Sequence, residues 1–286
     1  MRDLYKQRLA SFTLVCAVVS ALAPNPAEAQ RVYEPLFDRF NVRAEGSWVG
    51  MNTQIRLDSE LLGRGTTLSF EDDLDLDSIK VIPSVEFEWQ IARKHRLGVR
   101  WQDISRNSTS QALKEIQWGD EIIPIDADIR LGFDIEQYFV DYTYYPWVKE
   151  RWAAGFGLGI RVMDVSATLS WNLDMFQESG STDAKGTGPL PYLYFDYRLL
   201  LSDHWRFGAG LGWLQVTIGD IDGGQWIGRA SIEYLLGRHW GFGGAVNIAT
   251  VDVNWAGVET DEGESALTAA LDLDINDVSV FVRFRF

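Results

Sequence analysis

Apolar and polar residues alternate along most of the chain after residue 39, and this period of two constrains the fold more than any other feature. In residues 85–91, for example, valine, phenylalanine, tryptophan and isoleucine take every second position, with two glutamates and a glutamine between them. Successive side chains of a β-strand point to opposite faces, so the pattern predicts strands with one apolar and one polar face. Alternation alone fits both a soluble sandwich, whose apolar face covers a core, and a membrane barrel, whose apolar face meets lipid.

The lengths of the connections favour the membrane barrel. Four connections of about three to six residues, the length of tight hairpins, begin near Lys94, Lys149, Asp203 and Arg238, and each leads into a glycine-rich segment. The other connections are longer and polar, at roughly 58–80, 107–123, 172–189, 219–224 and 257–265. Outer-membrane barrels have short turns at the periplasmic end and long loops outside, whereas a soluble sandwich has no reason to sort its connections in this way.

Counting the segments between these connections predicts an all-β fold, an antiparallel up-and-down transmembrane β-barrel of ten strands. The predicted strands are 40–57, 81–91, 96–105, 129–147, 152–171, 191–201, 205–218, 225–236, 240–255 and 267–286. An even number places both termini of the chain on the short-turn side, as a closed antiparallel barrel requires. Eight or twelve strands remain alternatives, because residues 65–70 and 112–118 could extend their neighbours or form strands of their own.

Residues 1–29 have the features of a cleavable secretory signal peptide. Arg2, Lys6 and Arg8 precede the apolar run 9–23, and Ala27-Glu28-Ala29 fits the small-x-small cleavage pattern. The run is shorter than the roughly 18 residues of a spanning helix. We therefore predict export and a barrel domain of residues 30–286, which contains no cysteine and hence no disulfide. Export and a formal net charge of −15 argue against a nucleic-acid partner.

The C-terminal strand has an apolar face that runs to the last residue. That face consists of Val278, Val280, Val282, Phe284 and Phe286. The pattern resembles the C-terminal strand signature of bacterial outer-membrane proteins, which the barrel-assembly machinery reads as an insertion signal. Pairing of this strand with the first one would close the barrel and leave no free edge.

The body of the chain resembles Gram-negative outer-membrane β-barrels that carry no assigned activity. The resemblance rests on "FEDDLDLD" at 70–77, "HRLGVRW" at 95–101 and "PLPYLYFDYRL" at 189–199. It implies an outer-membrane location, contact with outer-membrane lipid and lipopolysaccharide, and insertion by the barrel-assembly machinery. It supplies no catalytic residues and no cofactor.

The three histidines of the chain argue against an enzyme. His95, His204 and His239 all fall in the predicted short turns, at the end of the barrel opposite the outer rim. A general base that works near neutral pH is most often a histidine. We therefore expect no catalytic residues, although a carboxylate-only mechanism is left open.

The acidic segment 71–77 carries five carboxylates in seven positions. Oxygen ligands at alternating positions could hold a weak divalent cation such as Ca²⁺, but the segment lacks the glycine-containing EF-hand loop. The alternative is a solvated outer loop beside the lipopolysaccharide layer. We predict no specific metal site and no cofactor site elsewhere in the chain.

Charged residues of both signs are predicted to line the lumen. The inward set contains Glu86, Glu88, Arg100, Asp141, Arg161, Asp196, Arg198, Arg206, Arg229, Glu233, Arg283 and Arg285. Opposite charges in a narrow barrel should pair, because an isolated buried charge is very costly. Inward glycines near the turns either make room for these long side chains, which then fill the lumen, or leave a water-filled passage.

These features predict a non-enzymatic outer-membrane barrel with a structural or surface-binding role carried by its acidic extracellular loops. The first alternative is a narrow, porin-like channel for a polar or charged small solute. An outer-membrane enzyme is the second alternative, and the positions of the histidines disfavour it.

Overall fold

The computed structural model describes residues 36–59, 62–76, 79–118, 121–173, 178–219, 221–256, 259–260, 263–264 and 267–286. The predicted signal peptide, residues 1–29, lies outside these ranges. The strands of the described part are β1 (Phe40–Ser59), β2 (Leu68–Ser69), β3 (Ile79–Ala92), β4 (His95–Gln111), β5 (Ile116–Trp118), β6 (Glu121–Ile123), β7 (Asp128–Val148), β8 (Trp152–Leu173), β9 (Glu178–Leu200), β10 (Trp205–Ile218), β11 (Ile221–Leu236), β12 (Trp240–Ala256), β13 (Glu259–Thr260), β14 (Gly263–Glu264) and β15 (Leu267–Arg285). The described residues contain no helix long and apolar enough to cross a membrane.

Ten of these strands pair side by side into a closed antiparallel ring. The order is β1, β3, β4, β7, β8, β9, β10, β11, β12 and β15, and β15 pairs with β1 from Asn41↔Arg285 to Ser59↔Leu267. The prediction of an antiparallel barrel of about ten strands is confirmed, and the C-terminal strand pairs with the first one. Because the ring has no edge, every strand has a hydrogen-bonding neighbour on both sides.

Two of the predicted long connections are wrong. Strands β10 and β11 pair as far as Ile218↔Ile221, so the connection predicted at 219–224 is only two residues long. Most of residues 172–189 continue β8 and β9 as a tall hairpin, paired as far as Leu173↔Glu178. The inward positions of this part of β9 carry small residues, including Ala184, Gly186 and Gly188, and polar residues stand between them. An apolar–polar alternation is therefore missing there, although the backbone pairs with β8 throughout.

The two halves of the barrel wall have opposite polarity. In the half next to the short turns, large apolar side chains are exposed on the outside up to a ring of tryptophans that includes Trp48, Trp213 and Trp226. We call this part the turn half and the part beyond the ring the loop half. The turn half is roughly nine to eleven residues high on each strand, which matches the height of a lipid-facing band. In the loop half the outward residues are polar, and the apolar residues point inward.

The inversion is visible at adjacent residues. Trp48 of β1 is half exposed on the outside, and the next residue, Val49, is fully buried on the inside. On the paired strand β15, Ile275 is buried inside and Val278 is exposed outside. In the turn half the outer side of the wall meets lipid, so the outward residues are apolar. In the loop half the outer side meets water, so the apolar residues lie on the inner side.

An apolar plug fills the loop half. It is formed by inward residues of the wall and by two connections that fold into the barrel. The connection between β1 and β3 contributes Leu68, Phe70, Leu74 and Leu76, and the β5–β6 hairpin contributes Ile116, Trp118 and Ile123. The Phe70 ring lies edge-on to Phe133 of β7, with a centroid distance of 5.0 Å. The loop end of the lumen is therefore closed by a hydrophobic core.

Replacement of Phe70 by alanine should destabilise the barrel by about 3–5 kcal/mol, because it leaves a cavity where a fully buried aromatic ring was. The matched control is Leu113→Ala, because Leu113 is 81% exposed and should change the stability by less than about 0.5 kcal/mol. The measurement is the urea dependence of the SDS-resistant, faster-migrating band. Equal midpoints for the two variants would contradict the plug.

Candidate functional site

A network of charged side chains fills the lumen of the turn half. Its first group lies on β1 and β3, where the Arg43 guanidinium forms ion pairs with Glu86 and with Glu45, the latter at 3.3 Å. Glu45 also pairs with Arg229 of β11 at 2.7 Å, and Arg229 donates a second hydrogen bond to Asn247 at 2.9 Å. All five residues occupy inward positions that the period of two assigns to the polar face.

Glu88 links strands on opposite sides of the ring. This carboxylate of β3 accepts from Arg96 of β4 at 2.9 Å and from Arg198 of β9 at 2.7 Å. It also accepts from Asn41 at 2.9 Å and lies 3.6 Å from Arg283. An ion pair between β3 and β9 crosses the barrel, so these side chains span the lumen.

Asp196 forms a second centre beside Glu88. It accepts from Arg96 at 3.1 Å, from Arg198 at 3.3 Å and from the Tyr145 hydroxyl at 2.6 Å. The same two arginines therefore bridge Asp196 and Glu88. Charge-assisted hydrogen bonds of this kind are the stronger ones, and each carboxylate here has several donors.

The residues that precede β1 close the turn end of the lumen. Leu36 and Phe37 pack against Tyr145 and Leu200, and the Phe37 and Tyr145 rings lie edge-on with centroids 4.8 Å apart. Asp38 is buried and serves as the anchor of this segment. We call residues 36–38 the N-terminal seal.

Asp38 pairs with three arginines of the wall. It lies 2.9 Å from Arg206, 3.4 Å from Arg285 and 3.6 Å from Arg283. Arg206 also pairs with Glu233 at 2.8 Å. The seal is thus held by buried ion pairs as well as by apolar contacts.

The structure places all twelve sequence-predicted lumen residues on the inner side of the wall or at the turn end. Nine of them take part in the ion pairs described above. The carboxylate of Asp141 accepts from the Tyr192 hydroxyl. Arg100 and Arg161 differ from the rest, because neither forms an ion pair within 4 Å with any residue that the structure describes.

Sequence reasoning missed four members of the network, Asp38, Arg43, Glu45 and Arg96. Three of them could have been found, because Arg43, Glu45 and Arg96 occupy inward positions of predicted strands. Asp38 lies before the first strand, where no periodicity assigns it a side. A carboxylate between apolar residues in the "LFDRF" segment was the remaining signal.

Glycines of β8 make room for aromatic side chains of β9. A Cβ atom on Gly157 would overlap the Tyr194 ring, and one on Gly159 would overlap the Tyr192 ring. A third glycine, Gly241 of β12, leaves space for the Glu233 carboxylate in the same way. At these positions glycine therefore lets long side chains fill the lumen, which is the first of the two alternatives predicted from the sequence.

A cavity of about 180 Å³ remains within the network. Arg100, Phe139, Arg161 and Gly210 are among the residues that line it. A Cβ atom on Gly210 would contact only the Phe195 carbonyl oxygen, at 3.6 Å. The missing side chain at this position contributes to the open space.

All three histidines of the chain lie at the turn end. His95 Nδ1 is 2.6 Å from the Tyr142 hydroxyl, His239 Nδ1 is 3.0 Å from the Arg285 carbonyl oxygen, and the His204 ring stacks on Tyr234. These contacts are those of turn residues at an interface. No histidine is therefore available near the loop end.

Residues 71–76 of the acidic segment are folded into the plug through Leu74 and Leu76 rather than being wholly solvated. Glu71 accepts from Arg106 at 2.6 Å and from the Thr53 backbone N–H at 2.7 Å. Asp73 accepts from the Ser69 N–H at 3.0 Å. Among the described residues, no group of three or more acidic, histidine or cysteine side chains is arranged to hold a metal ion. Residue 77 lies outside the described ranges, and a weak divalent cation at 71–77 stays a prediction.

The outer face of the loop half is acidic. Asp252 of β12 lies directly opposite Asp272 of β15, and Asp274 is two residues further along β15. Partial burial raises the pKa of Asp272, and the carboxylates of Asp252 and Asp274 raise it further. Like charges that face each other across a strand pair repel, so these three carboxylates destabilise one another.

The fold is similar to that of known outer-membrane barrels. The outer membrane protease OmpT from Escherichia coli superimposes with a TM-score of 0.57 at 10% identity, over 91% of this chain and all of that chain. The outer membrane protein OprG from Pseudomonas aeruginosa gives a TM-score of 0.42 at 10% identity, over 90% of this chain and 99% of that one. No protein-family model matches the chain, and no curated protein matches it in sequence. The likeness to OmpT establishes the fold of a Gram-negative outer-membrane β-barrel.

Replacement of Asp38 by asparagine should destabilise the barrel by about 3–5 kcal/mol, because Arg206, Arg283 and Arg285 would then share one buried carboxylate fewer. Urea unfolding followed by the SDS-resistant band measures the change. The matched control is Asp203→Asn, because this aspartate is exposed in a short turn and should have almost no effect. A wild-type midpoint for Asp38→Asn would show that the seal does not depend on the ion pairs.

Proposed function

We propose that this protein is a closed, non-enzymatic barrel of the outer membrane with a structural or surface-binding role. The observation that carries the proposal is that described residues fill the lumen at both ends. The apolar plug fills the loop end, and the N-terminal seal covers the turn end. Ion pairs span the space between them.

A narrow channel is the second candidate, and the 180 Å³ cavity is the observation that favours it. A solute would have to displace both the plug and the ion pairs that Glu88 forms with Arg96 and Arg198. Each broken pair would leave a buried charge without a partner, which is strongly unfavourable. The mixed and paired charges also give the wall little net selectivity for one sign of ion.

The positions of the histidines support the absence of catalysis. A substrate outside the cell would meet the loop end, and His95, His204 and His239 all lie at the other end. Nine of the twelve predicted lumen residues are held in ion pairs behind the plug, and Arg100, Arg161 and Asp141 are the exceptions. A carboxylate-only enzyme is the remaining competitor, and activity of the purified protein on lipid or peptide substrates would support it.

The acidic outer face is the candidate binding surface. It begins directly beyond the tryptophan ring, at the height where lipopolysaccharide surrounds an outer-membrane barrel. Asp252, Asp272 and Asp274 repel one another there. Divalent cations that bridge these carboxylates to lipopolysaccharide phosphates would reduce the repulsion.

Purified protein in planar lipid bilayers should produce no stable unitary conductance steps, because both ends of the lumen are closed. The measurement is single-channel recording at both polarities, with a general porin reconstituted in the same way as the positive control. Reproducible unitary steps would contradict the closed barrel and favour the channel.

Replacement of Asp272 by asparagine should stabilise the barrel at pH 7. The pKa of Asp272 is raised in the folded state, so the folded state loses stability as the pH rises from the unfolded value of about 3.9 through the raised value. The gain should therefore vanish at a pH below both values, and added Mg²⁺ should stabilise the wild type more than the variant. The measurement is the temperature at which the SDS-resistant band disappears.

The matched control is Asp134→Asn on the outer face of β7. The residues opposite Asp134 are Ser105 and Ser166, so it has no directly facing carboxylate. A stabilisation of the same size in both variants would mean that net charge, rather than the repulsion around Asp272, is responsible.

A further inference from the structure

Two guanidinium groups lie on either side of one aromatic ring in the lumen. Arg100 of β4 and Arg161 of β8 both approach Phe139, which is on the strand β7 between them. Their Cζ atoms lie 4.0 Å and 5.3 Å from the ring centroid. Both arginines line the 180 Å³ cavity. By these distances the two Cζ atoms are at most 9.3 Å apart, at the edge of an open space.

Arg161 is buried without a counter-charge. Its side chain donates to Gln137 Oε1 from Nε at 3.0 Å and from Nη2 at 2.7 Å, and Nη1 lies 3.4 Å from Gln225 Oε1. Both acceptors are neutral. In the part of the chain that the structure describes, Arg161 and Arg100 form no ion pair within 4 Å. The other lumen arginines named above all have carboxylate partners, so these two differ in kind.

Gln137 carries a buried donor beside Arg161, unpaired within the described part of the chain. A guanidinium can only donate hydrogen bonds, so the two bonds from Arg161 fix the amide oxygen of Gln137 toward Arg161. The amide nitrogen must then point the other way. Gln137 is 1% exposed and lines the cavity, and its Nε2 has no hydrogen-bond partner among the described residues. Buried donors of this kind are normally paired.

We propose that the cavity is a binding site for a small oxyanion, a phosphate or a carboxylate, held by Arg100 and Arg161. An anion there supplies the counter-charge that the described residues do not place within 4 Å of either guanidinium. Rotation of the Gln137 amide, whose Nε2 is buried and has no partner among the described residues, would let this group donate to the anion as well. The fork of a guanidinium matches two oxygens of a carboxylate or phosphate. The space corresponds to several water-sized probes, so the anion displaces water rather than protein.

Two carboxylates that line the cavity, Asp141 and Asp277, do not fill this role. Asp141 accepts a hydrogen bond from the Tyr192 hydroxyl and Asp277 accepts one from the Asn247 amide, and neither forms an ion pair within 4 Å with Arg100 or Arg161. The site goes beyond the proposed function, because a barrel with a structural or surface role needs no internal ligand. The proposal of an anion site does not depend on whether the lumen conducts ions.

The test measures the effect of inorganic phosphate on the unfolding of the full mature chain folded in detergent. Phosphate should raise the temperature at which the SDS-resistant band disappears, with a saturating dependence on concentration, relative to sodium chloride of the same ionic strength. Arg161→Gln should raise the half-saturating phosphate concentration at least tenfold. Sodium acetate in a parallel series shows whether a carboxylate suffices, and a saturating response to either anion supports the site.

The matched control is Arg56→Gln. Arg56 is paired with Asp58 at 2.8 Å on the outer face of the loop half and should keep the wild-type response. General stabilisation by excluded salts acts on all variants equally, so only the difference between variants counts. An unchanged response in Arg161→Gln, or no saturating response of the wild type to phosphate or acetate, would overturn the proposal.

Gln137→Glu tests the site without removing an arginine. The new carboxylate would lie beside Arg161 and would act as an internal counter-ion. The variant should be more stable than the wild type in anion-poor buffer and should lose the response to phosphate. A wild-type response in Gln137→Glu would also contradict the proposal.

Discussion

The structure depends on the satisfaction of backbone hydrogen bonds in a medium that offers none. In lipid, an unpaired strand edge leaves a row of N–H and C=O groups without partners, so a sheet must close on itself. Here closure is achieved by the pairing of the last strand with the first, from Asn41↔Arg285 onward. With the ring closed, the outward face must be apolar as far as the tryptophan ring. The inward face is then left for every charged residue of the turn half.

The polarity inversion follows from the height of the barrel. The wall extends beyond the lipid-facing band, and its outer side there meets water, so the apolar residues of the loop half turn inward. That inner apolar surface needs a core, which Phe70, Leu74 and Trp118 supply from connections that fold into the barrel. A tall barrel is therefore also a plugged one. The acidic outer face and the plugged lumen both arise because the wall extends beyond the lipid-facing band.

The faces of the strands and the number of strands could be predicted from residue types. The tall hairpin of β8 and β9 could not, since Ala184, Gly186 and Gly188 give no apolar alternation although their backbone pairs fully. The leucines at 74 and 76 looked like members of an acidic loop, and only the inward fold of that loop shows that they are buried. Asp38 was missed because it precedes the periodic part of the chain.

The sequence by itself determined which residues face lipid, which face the lumen, where the four short turns of the turn half lie and that the C-terminal strand is able to close the ring. The alternation of apolar and polar residues is a local property, because it depends on neighbouring positions in the sequence and not on distant ones. Only the tertiary structure decided which charges meet across the lumen, because the stagger between strands sets the height of each residue in a barrel. It joined Glu88 to Arg198, placed Asp38 under Arg206, and left Arg100 and Arg161 beside a cavity with neutral partners.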